Sequence, residues 1–346
     1  MRKGVRKRHL KTSPTIKDIA AKLNLHYTTV SRALRDHPDV KEETRRLVKQ
    51  MAKQLNYQPN NLARSLKRQK SNSIGVIVPE IRHHFFSAVI SGIEEIAYQA
   101  GYVILVAQSN EQVEREIMNT NAFISNHVAG LLVSISQTTV SAHHFQRFLA
   151  QGGKLVFFDR VCQDVEAGQV VVDDYGGAFA ATEFLIRKGY KRIAHLGGSR
   201  NLTLSQMRYQ GYADALRKHS YDLRDEYVVW GGLHEQNGAQ GMKRFLGLSE
   251  LPDAIFAVND PVALGAYEVI AKNGLQIPQD IAVVGFSDNP ISAFVNPPLT
   301  TVYQPAYEMG KRAAELLLEQ IRSKNQTEGP KTREVFPTRL IVRGSA

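Results

Sequence analysis

Cysteine is almost absent from this chain: Cys162 is the only one in 346 residues. A single thiol excludes an internal disulfide framework and fits a reducing compartment. Long apolar runs are missing too, and nothing approaches the roughly 18–20 residues that span a bilayer. The basic start Arg2–Lys11 leads into polar TSPTIKD, where a signal peptide would need an apolar stretch. These absences predict a cytoplasmic protein with no membrane partner. Phosphate- and dinucleotide-binding glycine signatures are also lacking, and GGSRNLT contains glycine without a pattern. His83-His84 and His143-His144 are adjacent pairs rather than i, i+4 metal pairs, and Cys162 has no evident base partner. No catalytic constellation, metal site or cofactor is expected.

What is present is uneven. Residues 1–70 hold 19 Lys and Arg against five Asp and Glu, a net charge of +14; the remaining residues hold 25 against 28, a net −3. A strongly basic module on a mildly acidic body is the footprint of a phosphate-backbone binder. With 43% hydrophobic residues, the chain has enough apolar material for two or three compact units.

The basic module has an internal plan. Thr15 is a good N-cap, and Ile16, Ile19, Ala20 and Leu23 form one apolar stripe at i, i+3, i+4, i+7. Asn24 tolerates the left-handed conformation a tight turn needs. A second helix over about Tyr27–Leu34 buries Val30, Ala33 and Leu34 and leaves Tyr27, Thr28, Ser31 and Arg32 outside. A third, roughly Glu42–Leu55, presents Leu47, Val48, Met51 and Leu55 to the small core. That is a helix-turn-helix, whose second helix enters the major groove of double-stranded DNA. Arg32 suits a two-pronged contact with guanine, Tyr27 and Thr28 reach base edges, and Thr29 and Ser31 reach phosphates. A three-helix bundle with a solvated basic face is the plainer alternative.

Asn60–Leu66 is too short for a stable isolated helix, because helices under about 12–15 residues are marginal in water. Two copies side by side could bury Leu62, and Leu66 could wedge between base pairs in the minor groove; a linker with incidental leucines is the alternative. Arg64, Lys67, Arg68 and Lys70 add salt-sensitive attraction either way. The leader, residues 1–14, reads as a disordered start or an extra arm on phosphates.

From Ser73 onward SIGVIVPE, YVILVAQ, GLLVSI, KLVFFD, RIAHLGG, AIFAVND and IAVVGF alternate with helical patterns. Such alternation predicts doubly wound α/β lobes with parallel sheets. IGVIVPE with AVISGIEEIAYQAGY is echoed by RIAHLGG with RYQGYADALRKHSY, which supports two lobes. Ligands of open α/β sheets sit at the carboxyl ends of the strands, here across an inter-lobe cleft. The candidates are Phe85 and Phe86 after the first strand, Asp159 after KLVFF, Arg208 beyond RIAHLGG, and Asn259-Asp260 after AIFAV. The two phenylalanines serve equally well as core, and Asp260 reads as the cap of the next helix.

The segments DIAAKLNLHYTTVSRAL, LNYQPNNLARSL and IGVIVPE closely resemble the lactose-repressor/galactose-repressor (LacI/GalR) family of bacterial transcription regulators, over Thr15 to about Val342. The resemblance implies a DNA-facing set of Thr15, Tyr27, Thr28, Thr29, Ser31 and Arg32, with Asn60, Ala63 and Leu66 at the hinge-helix positions. It implies an effector site of Phe85, Phe86, Asp159, Arg208, Asn259 and Ser287, and a homodimer on a pseudo-palindromic operator. The chain departs from the family at three points. Asn24-Leu25-His26 replaces Gly-Val-Ser at the turn, Lys41 replaces a small cap, and Ser287 then Asp288 follow VVGF where an aspartate is common. A sugar or sugar derivative is the effector the family suggests.

The resulting domain reading is a leader 1–14, a helix-turn-helix 15–58, a hinge 59–70 and a two-lobed body 71–346. Lobe one takes about 73–172 plus 304–346, and lobe two about 173–303. The predicted function is a ligand-responsive repressor rather than an enzyme. A solute-binding protein shares the body but lacks the basic head; a sugar-active enzyme would show turnover; an architectural DNA binder would show no ligand effect.

Overall fold

The fold is taken from a computed structural model, described for residues 14–57, 71–323 and 332–346. The leader up to residue 13 and the hinge positions Asn60, Ala63 and Leu66 lie outside the described residues. The chain divides into two compact units, a head ending at Gln69 and a body beginning at Lys70.

The head packs α1 (Ile16–Leu23), α2 (Tyr27–Ala33) and α3 (Glu42–Gln54) around Ile19, Ala20, Val30, Ala33, Val40, Val48 and Ala52. Thr15 opens α1 by giving its backbone N–H and its hydroxyl to the Asp18 carboxylate, both at 2.7 Å. Asn24 closes it at φ 51°, in the left-handed region. His26, the departure from the family pattern, does the work of the missing serine: its Nδ1 accepts from the Thr28 backbone N–H at 3.5 Å and lies 2.8 Å from the Thr28 hydroxyl. One expected core residue is misplaced. Leu47 is 46% exposed, while Ala52 joins Val48 inside. The buried stripe of α3 runs 48, 51, 52, 55, and residue 47 lies about 100° away from 48 around the helix.

The body holds two six-stranded sheets. In the first, β1 (Ser73–Val78), β2 (Val103–Gln108), β3 (Gly130–Val133), β4 (Leu155–Phe158), β5 (Gly168–Val172) and β11 (Arg333–Phe336) run in the order β11-β5-β4-β3-β1-β2, every pair parallel. In the second, β6 (Ile193–Gly197), β7 (Val228–Trp230), β8 (Ala254–Ala257), β9 (Ala282–Ser287), β10 (Thr300–Tyr303) and β12 (Arg339–Ile341) run in the order β12-β10-β9-β8-β6-β7, with only β12 antiparallel to its neighbour. Buried on both faces, β3, β4 and β8 read as unbroken apolar runs.

Successive residues on these strands feed two different cores. Ile77, Phe157, Ile255 and Val283 join one apolar cluster; Val76, Phe158, Phe256 and Val284 join the other, and each cluster holds residues of both lobes. The covering helices are α4 (His84–Gln99), α5 (Val113–Ser125), α6 (His143–Ala150) and α11 (Ala306–Arg322) on lobe one. Lobe two carries α7 (Asp174–Arg187), α8 (Thr203–Lys218), α9 (Glu235–Leu246) and α10 (Asp260–Lys272). Helices α9 and α10 approach so closely that a Cβ at Gly238 would sit 1.9 Å from the Val262 carbonyl oxygen.

The chain passes between lobes three times: from β5 into α7, from β10 into α11, and from β11 to β12. This corrects the assignment of all of 304–346 to lobe one. Arg339–Ile341 pairs with Thr301–Tyr303, and the Ser345 hydroxyl donates to the Val283 carbonyl at 2.6 Å, so the tail finishes lobe two. At the crossings, Asp173 N–H donates to the Phe336 carbonyl at 2.9 Å, binding the first passage to the third.

Candidate functional site

The residues at the carboxyl ends of the strands converge. Phe85, Phe86, Asp159, Arg208, Asn259 and Ser287 all line one cavity between the lobes, open to solvent at its mouth. Each is delivered by a different local device. Phe85 and Phe86 sit in the first turn of α4 with their rings edge to face at 5.3 Å; Phe86 is also buried core, so the wall and core readings both hold for it. Asp159 follows β4 with φ 59°. Ser287 ends β9 with φ 129°.

Arg208 is held rather than free. Its Nε and Nη2 lie 2.8 and 2.7 Å from the Asp174 carboxylate, Nη1 donates to the Val258 carbonyl at 2.6 Å, and the guanidinium carbon stands 3.7 Å from the centre of the Phe286 ring. The pair is buried, and burial pushes the Asp174 carboxyl up from its usual value in spite of the arginine. Sequence reasoning missed Asp174, whose only sequence signal is an acidic residue just past a strand end.

A second buried pair forms the floor. Arg160 Nη1 donates to both Glu111 oxygens at 2.8 and 2.9 Å, and its guanidinium lies 5.5 Å from the Phe86 ring centre. Asp159 beside it has weaker partners: the Ser134 hydroxyl at 3.5 Å and Arg160 Nε at 3.7 Å. Burial therefore raises its carboxyl to about 6, with Arg160 and Arg208 pulling the other way. An acceptor-rich group under-supplied with donors at a cavity wall is suited to ligand hydroxyls.

Two further assignments change. Asn259, not Asp260, caps α10: its Oδ1 accepts from Val262 N–H and its Nδ2 donates to the Leu233 carbonyl, both at 2.9 Å. Asp260 is instead fully buried and accepts from the Asn289 N–H at 2.7 Å and the Ser292 hydroxyl at 2.8 Å. Asp288 is bound at 2.7 Å by Arg343 and does not line the cavity. Ser287 therefore presents a hydroxyl where the family pattern has a carboxylate.

In the head, Tyr27, Thr28 and Arg32 are exposed along α2, with Thr29 and Ser31 half-buried beside them. Arg32 lies 3.9 Å from Asp39, both largely solvated, so its side chain is not committed to that pair.

A helix-turn-helix head followed by two parallel α/β lobes around a polar-and-aromatic cavity defines a class, the ligand-responsive DNA-binding proteins. Comparison with known proteins narrows it. Residues 15–60 match the model of bacterial regulatory proteins of the lacI family, and 182–346 match a periplasmic binding protein-like domain. The HTH-type transcriptional repressor CytR of Escherichia coli (strain K12) is 34% identical over 335 residues, 96% of each chain. The repressor PurR of Actinobacillus pleuropneumoniae serotype 3 (strain JL03) is 32% identical over 331 residues, 96% of this chain and 98% of that one. Among solved structures, the Lac repressor dimer bound to operator and the anti-inducer ONPF superposes with a TM-score of 0.83 at 25% identity, covering 96% of this chain and 99% of that one. The transcriptional regulator CelR–cellobiose complex gives 0.73 at 28% identity, covering 96% and 100%.

The chain belongs to the LacI family of bacterial transcriptional regulators, with a periplasmic-binding-protein-like effector domain. It is a repressor whose DNA binding is regulated by an effector, in a family of repressors rather than enzymes. No helix among the described residues is long and apolar enough to cross a membrane.

Proposed function

We propose that a sugar or sugar derivative occupies the inter-lobe cavity and switches a homodimer on and off a pseudo-palindromic operator. The observation that carries this reading is the convergence on one cavity of six side chains from the strand ends and the helices that follow them. Phe85 and Phe86 offer an apolar wall for a sugar face. Asp159 accepts from hydroxyls, Ser287 donates or accepts, and Arg208 and Asn259 hold the far wall rigid while presenting polar atoms. The cellobiose bound to CelR is a precedent for a sugar in this fold.

Pairing of two copies is supported by the edge of the first sheet. Among the described residues strand β2 is the edge of its sheet and exposes Val103 (64%), and Tyr98 (76%) on α4 and Met118 (62%) on α5 are exposed as well. An exposed sheet edge with large apolar side chains is suited to a protein contact, and the related Lac repressor is a dimer on its operator. Two heads then present Tyr27, Thr28 and Arg32 to bases and Thr15, Thr29 and Ser31 to backbone, one head per half-site. Asn60, Ala63 and Leu66 form the coupling segment in this reading, since a helix too short to stand alone can be made or lost with lobe position. The coupling is reciprocal, so operator alters effector affinity by the same factor.

Screening small sugars by thermal shift, followed by binding to a duplex selected from a random pool, tests the reading. A sugar that raises the melting midpoint should change operator affinity. It should bind Ser287→Ala about tenfold more weakly, the effect of one hydrogen bond, and Leu66→Ala should weaken operator binding while leaving sugar binding intact. A hit indifferent to Ser287→Ala would place the ligand elsewhere, and unchanged operator affinity in Leu66→Ala would remove the hinge role.

A further inference from the structure

Three side chains from the two lobes meet at the cleft. Glu80 and His83 lie between β1 and α4 in lobe one; His234 immediately precedes α9 in lobe two. Glu80 Oε2 is 3.0 Å from His83 Nε2, and Glu80 Oε1 is 3.7 Å from His234 Nε2. The imidazoles stack with centres 5.6 Å apart and planes 18° from parallel. All three ligand atoms lie within 4.8 Å of one another, and each side chain is largely but not wholly buried.

We propose that Glu80, His83 and His234 bind a divalent transition-metal ion of the zinc type, which ties lobe one to lobe two. Two imidazole nitrogens with one carboxylate oxygen is a donor set that zinc takes in open sites, with bonds of about 2.0–2.2 Å. A tetrahedron of that size spaces its ligand atoms about 3.3 Å apart, so the widest pair here has at most roughly 1.5 Å to close. Side-chain rotation or slight further closure of the lobes supplies that distance. The fourth position is left for water or for an oxygen of a molecule in the cavity, which His83 and His234 also line.

Arg82 competes for the site, with its Nε 2.6 Å from Glu80 Oε2. The arginine is mostly exposed, so it can yield the oxygen and remain solvated. The adjacent His83-His84 pair gave no metal spacing in sequence because the partner histidine comes from the other lobe. An ion held by both lobes binds the closed arrangement better than the open one, and so shifts the population toward closure.

The probe is Zn²⁺ alone, titrated into chelator-stripped full-length protein, by calorimetry and by competition with a coloured chelator. The expected result is one ion per chain, a zinc-dependent rise in melting midpoint, and at least about a tenfold loss of affinity in His83→Gln and in His234→Gln separately. Bound Co²⁺ should show the intense visible absorption of a four-coordinate site, which needs no variant. Absence of binding, affinity in both variants unchanged from the parent, or the weak spectrum of aqueous Co²⁺ would overturn the site. Loss in His83→Gln but not in His234→Gln would overturn the bridge between lobes. None of these readouts depends on the effector being a sugar, so the metal site and the effector reading stand or fall separately.

Discussion

Replacing Asp159 by asparagine should stabilise the ligand-free protein at neutral and alkaline pH. The Asp159 side chain is only 9% exposed, and burial lifts its carboxyl from 3.8 to about 6. A group whose folded pKa is raised binds its proton more tightly folded than unfolded. Its favourable contribution is therefore complete below about pH 4 and is lost as pH rises through 6. Two pKa units correspond to about 3 kcal/mol, at 1.36 kcal/mol each, so ionised Asp159 destabilises the fold by about that much at pH 8. At pH 5 the penalty is about half as large. Asparagine never ionises, keeps an acceptor for the Ser134 hydroxyl, and tolerates the left-handed φ of 59° as well as aspartate does. Arg160 is not orphaned, because both Glu111 oxygens hold it. Urea denaturation of parent and variant at pH 8, 5 and 4 measures the difference. The variant should be about 3 kcal/mol more stable at pH 8, with the gain shrinking below 1 kcal/mol by pH 4. A variant less stable at pH 8, or a gain that does not move with pH, would refute the reasoning.

Arg208→Ala should act in the opposite direction, since it strands the Asp174 carboxylate and the Val258 carbonyl inside the protein. Breaking one side of a buried pair costs about 3–5 kcal/mol, and the deficit should be largest at pH 8 and shrink on acidification, because Asp174 then protonates; pH-resolved urea titrations check both. Gly238→Ala should lower stability by about 1–3 kcal/mol or more, as its Cβ meets the Val262 backbone. The control Gly247→Ala, whose nearest neighbour is at 3.5 Å, should be close to neutral in the same melts. Ile19→Ala, at the fully buried centre of the head, should cost about 2–5 kcal/mol. Calorimetry should then show the head transition lost and the body transition unmoved, with DNA binding abolished.

What the sequence disclosed follows from how local each signal is. The turn at Asn24 and the cap at Thr15 are made by residues within a few positions of each other, and both are where the pattern puts them. The central strands show as apolar runs because both their faces are covered. Strands β11 and β12 are three or four residues long, partly exposed and begin with arginine, so they carry no such run, and the tail was assigned to the wrong lobe for that reason. The cavity walls were legible through the rule that ligands sit at strand ends. Their supporting charges were not: Asp174 and Glu111 act on arginines 34 and 49 residues away, and only the folded chain brings them together. Asn259 and Asp260 show the same limit at one residue's range, since either could cap α10 until the partners of both are seen.

The third passage between lobes also fixes the order in which a nascent chain can become a regulator. The core of the head is made of residues between Ile19 and Ala52, which leave the ribosome before those of either lobe. Neither lobe can close its sheet until synthesis reaches β11 and β12, and the Ser345 hydroxyl that bonds Val283 comes later still. During translation, a DNA-reading head therefore precedes by nearly 300 residues the completion of the lobes that regulate it. A message truncated shortly before β11 would encode a head with both sensing lobes left unfinished.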